Sequence, residues 1–351
     1  MQALYGQEAG GGGWVCPQRQ VWGLGAHQKM TPALEERLCF TVTMTGSYQG
    51  AAAVAGKWGC AADDSTLHAL VQRVGGRAQE QMERRIESVP QERQPQRKAS
   101  ELGVLLSDGW QVRHRGPGWG AKKTQPNRVE WHEMKMGVYY PLEQAAVKES
   151  GRGELTDKSV VSTLEDAVAL GQRWHWEAMR AGWARAKNLQ MLGDGSPWIW
   201  NLKADRWAGA VEVLDFYHAS QHVWELGRAL KGEEAAQGWV EPLLHQLRHG
   251  KEKKALKTIA SLPVPRGERG KIVRREQNYF ASQEHRMKYQ EVAARGWRIG
   301  SGAVESVCRQ RQCRFKRPGQ FWTASGLRHL CALDEARNNH HWEEIWTPLK
   351  T

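Results

Sequence analysis

Four short stretches hold acids in settings that suit metal or phosphoryl chemistry. They are "LLSDGWQV" with Asp108, "LGDGSPWIW" with Asp194, "VLDFYH" with Asp215 and His218, and "GSGAVES" with Glu305. Carboxylate oxygens are the donors Mg2+ prefers, and the ion keeps waters and substrate phosphate in its other positions. Three carboxylates in a basic chain suggest two-metal phosphoryl transfer. One ion then activates the attacking oxygen and the other stabilises the leaving one, about 3.5–4 Å apart.

Each stretch also has a plainer reading. Asp108 interrupts an apolar run, where a lone charge is costly unless paired, but Asp-Gly is also a strong hairpin-turn signal. Asp194 falls where a strand ends and a helix begins, the place where open α/β sheets put their chemistry; a helix cap explains it equally well. Asp215 closes a strand-like run with His218 three positions on, the most tempting catalytic acid when taken alone. Glu305 opens a helix that continues with Arg309, Arg311, Arg314, Lys316 and Arg317. Residues 305, 309, 312 and 316 share one face by i+4 and i+3 steps. That face suits a metal ligand beside phosphate-holding cations, or an ordinary solvated surface.

The elements that must position these acids are partly visible. From Thr31 the chain turns helical, with Pro in the first turn of "TPALEERL". An Ala-rich helix, a turn at Gly59 and a longer helix capped among Asp63, Asp64 and Ser65 outline a possible helix-turn-helix, a pattern any helical hairpin shares. Residues 89–99, "VPQERQPQRKA", are polar and aperiodic and are expected to form a linker. "ELGVLLSDGWQVRHRG" and "RVEWHEMKMGVYYPL" predict two antiparallel strands. A long helix follows, with Ser162 and Glu165 in capping-box spacing. Next come a strand at "LQMLGDG", a helix at "SPWIWNLKADRW" and a strand at "AVEVLDFYH". This order is mixed α/β. Residues 219–294 are helical and charged throughout, inserted before a last helix that Ser301 can cap. The expected organisation is therefore an N-terminal region to residue 88, the linker 89–99, an α/β core over 100–218, an all-α insertion over 219–294, and a closing helix and tail over 295–351.

Bulk properties bound the partners. The 351 residues can bury a sizeable core and suggest two or three domains. Charged residues are 25% and hydrophobic ones 40%, ordinary for a soluble globular protein. The net charge of +12 favours a polyanion, nucleic acid before a membrane surface. Six cysteines form no C-x-x-C pair and are expected as reduced thiols in a cytosolic protein. No signal peptide is expected from "MQALYGQEAGGGGW", and no apolar run is long enough to span a membrane. Core packing accounts for most of the eighteen tryptophans, and a few beside Arg or Lys could stack on bases.

In order, "LLSDGWQVR", "GDGSPWIWNL", "VLDFYHASQHVW", "RMKYQEVAARGWRIGSGAVES" and "RFKRPGQFW" resemble insertion-sequence DDE transposases of the Kra-type group, related to Mutator-like transposases. The likeness covers roughly residues 100 to 346. It implies an RNase H-like mixed sheet, with acids on the first strand, the fourth strand and a late helix preceded by a helical insertion. Carried onto this chain, the metal-binding catalytic acids are Asp108, Asp194 and Glu305. The family's Cys-or-Asp, two residues, then His motif falls on Asp215 and His218, which take a supporting place. In such a sheet the first and fourth strands are neighbours, about 4.8 Å apart, and the fifth lies twice as far from the first. The competing triad of Asp194, Asp215 and Glu305 stays open.

The resemblance further implies Mg2+, with Mn2+ as a substitute, and double-stranded DNA (element ends and target) as partner. Phosphates would be held by Arg309, Arg311, Arg314, Lys316 and Arg317. A homo-oligomer on DNA, nucleoid-associated in a bacterial cytoplasm and away from membranes, is expected. The start departs from the family: relatives carry paired, zinc-ribbon-like cysteines where this chain has Cys16 in a Gly-rich opening. That is the expectation for an N-terminally truncated or decayed copy. A catalytically inactive DNA-binding relic and a nuclease on the same fold are the alternatives.

Overall fold

The computed structural model describes residues 6–7, 14–22, 24, 28–87, 100–121, 126–147, 149 and 153–347. The chain divides into two compact units. The first comprises Met1–Glu87, His114–Arg128 and Cys313–Thr351, and the second Ser88–Arg113 and Val129–Gln312. The expected linker 89–99 lies outside the described residues.

In the first unit, α1 (Pro32–Met44), α2 (Tyr48–Lys57) and α3 (Asp64–Glu87) follow one another. Thr31 and Ser47 accept hydrogen bonds from the Leu34 and Gly50 amides, so each caps its helix through an otherwise orphaned N–H. The 24-residue α3 buries Leu67, Leu70, Val71, Val74 and Ala78, spaced to form one apolar face. The second helix of the candidate helix-turn-helix is thus a core helix along most of its length.

The second unit is built on a mixed sheet of five strands. These are β1 (Leu102–Arg115), β2 (Val129–Pro141), β3 (Ser159–Thr163), β4 (Asn188–Gly193) and β5 (Val211–Leu214), in the spatial order β3-β2-β1-β4-β5. β4 joins β1 in parallel, β5 joins β4 in parallel, and β3 runs antiparallel to β2. Gly103 lies beside Tyr139 and Gly109 beside Glu133, so β2 runs against β1. The α/β class expected from the sequence is the class observed.

The strand expected at "ELGVLLSDGWQVRHRG" is observed: Asp108-Gly109 lies inside the 14-residue β1 rather than in the turn that Asp-Gly also allows, and Gly109 leaves room for the Glu133 side chain of the neighbouring strand. One local expectation is corrected. The strand "SVVST" was not foreseen, and Ser162 lies within it rather than capping a helix. The cap of α4 (Ala167–Arg180) is Asp166, which accepts from the Ala169 amide at 2.9 Å. All five residues of β3 are buried, so the strand carries no alternation to betray it.

One face of the sheet carries Leu105, Tyr139, Val161 and Met191 against Leu170, Trp174 and Ala178 of α4 and Ile199, Trp200 and Leu202 of α5 (Pro197–Arg206). Gly137 admits the Trp174 ring, which a Cβ there would meet at 2.4 Å. After β5 the chain is helical through α6 (Phe216–Lys231), α7 (Ala236–Arg248), α8 (Glu252–Ala260), α9 (Glu268–Gln283) and α10 (Tyr289–Ala294). Then come α11 (Gly302–Phe315) and α12 (Ala324–Asn338). α12 belongs to the first unit, where its His329 backbone carbonyl packs against Gly75 of α3 so closely that a Cβ would meet it at 2.3 Å. Among the described residues no helix is long and apolar enough to cross a membrane.

Candidate active site

Sheet register sets three of the acids in one row. Leu106 of β1 pairs with Leu192 of β4, and Leu192 with Val213 of β5. Two residues further on, at the same register and on the same face by alternation, stand Asp108, Asp194 and Asp215. Leu105 and Met191 face the tryptophan cluster, so the row lies on the opposite side. Adjacent strands are about 4.8 Å apart, which makes Asp194 the neighbour of both other aspartates and puts Asp215 two strands from Asp108.

The three differ in what already holds their oxygens. Asp215 is fully buried and caps α6: Oδ1 accepts from the Tyr217 and His218 amides at 2.6 and 3.3 Å. Its Oδ2 accepts from the Ser301 amide at 2.8 Å, tying the loop before α11 to the end of β5. Burial pushes this carboxyl up, opposed by these amides and by His218. Asp215 therefore supports His218 through the backbone of its helix.

Asp108 and Asp194 are half-buried. Asp108 accepts from its neighbour Gly109 N–H at 2.7 Å and, on its other oxygen, from the Cys308 thiol of α11 at 3.2 Å. Burial raises the Asp108 carboxyl above its ordinary range. The thiol, the Gly109 amide and the His218 ring favour its charged form, while the Asp194 charge disfavours it. Asp194 Oδ1 accepts from the Ser196 amide at 2.8 Å, in a turn completed by Gly195 at φ +99°. Only glycine takes that left-handed conformation at little cost.

Glu305 sits in the first turn of α11 and is exposed, its carboxylate accepting from the Ser301 hydroxyl at 3.2 Å. The α11 residue that meets Asp108 is Cys308, one turn further along. Of the five cations expected on phosphate, Arg309 and Arg317 are exposed and Lys316 is half-buried. Arg311 is buried and donates to Ser162 Oγ at 2.9 Å. Arg314 is buried too, 5.8 Å from the ring centres of Tyr48 and Phe315. Those two guanidinium groups serve the interior rather than an exposed face.

No family model matches this chain, and none of the curated proteins does.

Among the described residues no three His, Cys, Asp or Glu side chains converge closely enough to enclose a metal ion. Mg2+ asks for less. It is commonly held by one or two carboxylates, with waters and substrate phosphates filling the octahedron. The Asp108–Asp194 pair fits that demand: hard oxygen donors, partly open to solvent, each oxygen retaining at least one lone pair free for a cation. Burial chiefly raises the Asp108 carboxyl and the Asp194 charge adds to it, and a cation between the two would favour the charged form.

Sequence reasoning missed Cys308, Tyr279 and Gln283. Cys308 follows Glu305 at i+3 and so shares its helix face, a spacing open to inspection. Tyr279 donates to the Asp194 carbonyl at 2.9 Å, and Gln283 to the Gly195 carbonyl at 3.2 Å. Their i+4 spacing marks a common helix face, but nothing local names what that face meets.

Proposed function

We propose that this chain is a DNA transposase whose RNase H-like core hydrolyses a phosphodiester and joins the freed 3′-hydroxyl to target DNA. The observation that carries the reading is the pair Asp108, within β1, and Asp194, just past the end of the adjacent parallel β4, each two residues beyond the paired Leu106 and Leu192. It is supported by a sheet in which the fourth strand lies beside the first and the fifth beyond the fourth, the neighbours that the family resemblance implies. Asp108 and Asp194 are the residues that would hold Mg2+. When bound, the cation lowers the pKa of an attacking water or hydroxyl and offsets charge building on the phosphate.

The chain's own groups arrange the rest. Asp215 fixes the first turn of α6, which sets the half-buried His218 ring beside Asp108 as a donor for a phosphate oxygen. Glu305 is the third acid, carried on a helix whose Cys308 already touches Asp108. Exposed Arg309 lies one turn beyond Glu305 and meets the DNA backbone. In strand transfer the freed 3′-hydroxyl gives up its proton as its oxygen attacks phosphorus in line, the bond to the leaving 3′-oxygen of the target breaks, and that oxygen takes up a proton. Joining two element ends requires two active sites, hence a homo-oligomer on DNA.

The test uses a short labelled duplex with Mg2+ or Mn2+ and looks for nicked and joined products. Asp108→Asn, Asp194→Asn and Glu305→Gln should each abolish both products and leave DNA affinity, with its steep fall in salt, unchanged. Full activity in Asp108→Asn sinks the assignment. Binding without metal-dependent nicking would make the chain a DNA-binding relic, and nicking without joining a nuclease.

A further inference from the structure

The Asp194–Gly195 turn lies beyond the last residue of β4, where sheet hydrogen bonds no longer hold the backbone. Its restraint comes from α9, in the helical region. The Tyr279 hydroxyl donates to the Asp194 carbonyl at 2.9 Å, and one turn along the same helix the Gln283 amide donates to the Gly195 carbonyl at 3.2 Å. These carbonyls belong to the two successive peptide groups that follow the Asp194 Cα. The second group also carries the Ser196 N–H, which donates to Asp194 Oδ1 at 2.8 Å. Gln283 thus grips one end of a peptide plane whose other end holds the Asp194 carboxylate.

Both arms of the grip are braced from behind. The Tyr279 ring stacks on His222 of α6, with centres 3.7 Å apart and planes 22° from parallel. His222 Nδ1 in turn lies 2.5 Å from the fully buried Glu276 carboxylate. The Gln283 carbonyl accepts from Arg286 at 2.8 Å. Arg286 is anchored on Glu212 of β5 and lies 4.3 Å from the Trp200 ring. A side chain at Gly195 would also press on the Tyr279 ring, which a Cβ would meet at 3.0 Å.

We propose that Tyr279 and Gln283 are positioning residues for Asp194. One face of α9 fixes both peptide planes after Asp194 and so sets where its carboxylate stands. The helical region then completes the site from a distance, without contributing an atom to the metal. This rests on Asp194 being a metal-binding acid.

Tyr279→Phe deletes only the hydroxyl and keeps the ring stack, and Gln283→Met removes the amide at similar volume. Two measurements separate the clamp from the metal reading. The first is amide hydrogen exchange at Ser196. Loss of one such hydrogen bond should speed it about fivefold in either variant, with exchange in residues 102–107 of β1 unchanged. The second is Mn2+ titration by water-proton relaxation. Half-saturation should rise several-fold in both variants, and high Mn2+ should restore the wild-type plateau, a rescue that general loosening of the fold would not give. Unchanged Ser196 exchange, or equal acceleration in β1, overturns the proposal. So does an unchanged half-saturation where the wild type binds Mn2+. A wild type that binds no Mn2+ refutes the metal role of Asp194 and, with it, the purpose of the clamp. Ser196 exchange then still decides whether the clamp itself exists.

Discussion

Asp215→Asn separates a supporting aspartate from a metal-binding one. Both Asp215 oxygens accept, one from the Tyr217 and His218 amides and the other from the Ser301 amide, and the side chain is wholly buried. Asparagine preserves the shape and leaves one accepting oxygen. If that oxygen keeps α6 capped, the new NH2 group faces the Ser301 N–H, two donors without an acceptor. A lost charge-assisted hydrogen bond and a stranded buried donor each cost about 1–3 kcal/mol. Their partial overlap gives about 3 kcal/mol, roughly a 100-fold fall in the folded-to-unfolded ratio. Denaturant unfolding followed by tryptophan fluorescence reads it, because Trp174, Trp200 and Trp207 report from the core of the same unit. Asp108→Asn is the reference. Its carboxylate accepts from one amide and a thiol rather than from three amides, so a neutral amide there should cost less stability than Asp215→Asn while abolishing metal binding. The reasoning is refuted if Asp215→Asn unfolds at the wild-type midpoint and loses Mn2+ binding as deeply as Asp108→Asn.

The same carboxyl predicts a pH dependence. Asp108 titrates above its unfolded value of 3.8, so its contribution to stability is full below that value and is lost as pH rises through the folded one. Asp108→Asn should therefore gain on the wild type as pH climbs from about 3 to 7, read as a growing difference in urea midpoints; a constant or shrinking difference contradicts it. Cys308→Ala removes a donor that favours the charged form of Asp108. The pH at half-maximal Mn2+ binding should then move upward, and a downward move would mean the thiol competes with the ion. Gly137→Ala drives a methyl into the Trp174 ring and should cost about 1–3 kcal/mol by overpacking. An unchanged unfolding midpoint would show that the sheet can shift to admit it.

The parts of the fold that could be read in advance are those with a local signature. β1 is an apolar run long enough to name, and Thr31 with Pro32 marks the start of α1. β3 escaped because five buried residues show no period and run almost directly into residues that imitate a helix cap. The burial of Arg311 and Arg314 was equally hidden. Arginines on a short helix look solvated until the Ser162 hydroxyl or an aromatic cluster is seen to receive them. Cys308 and Tyr279 act on residues 200 and 85 positions away, separations at which spacing carries no information. Asp194 and Asp215 could be named from sequence because a carboxylate at a strand end is conspicuous, and Asp108 because it interrupts an apolar run. Their division of labour could not, because it depends on register and on donors from other helices.

That division follows from the row itself. Asp108 within β1, Asp194 just past the end of β4 and Asp215 just past the end of β5 each follow by two residues the aligned Leu106, Leu192 and Val213 of three consecutive parallel strands, so position alone offers each as a ligand. Asp215 is withdrawn because a helix starts on it and a second loop closes over it, engaging both oxygens with rigid amides. An ion would have to break a helix cap to use it. Asp108 is held on its outer oxygen by a thiol, a weak donor on a side chain that can turn away. Asp194 is held by an amide of its own turn, and that turn is gripped from outside by α9. Asp215 would give up three amide hydrogen bonds to be recruited, whereas Asp194 accepts from one amide and Asp108 from one amide and a thiol. Asp194 is one strand from each of the other two, so adjacency does not choose its partner; the engagement of both Asp215 oxygens does, and it leaves Asp108 with Asp194.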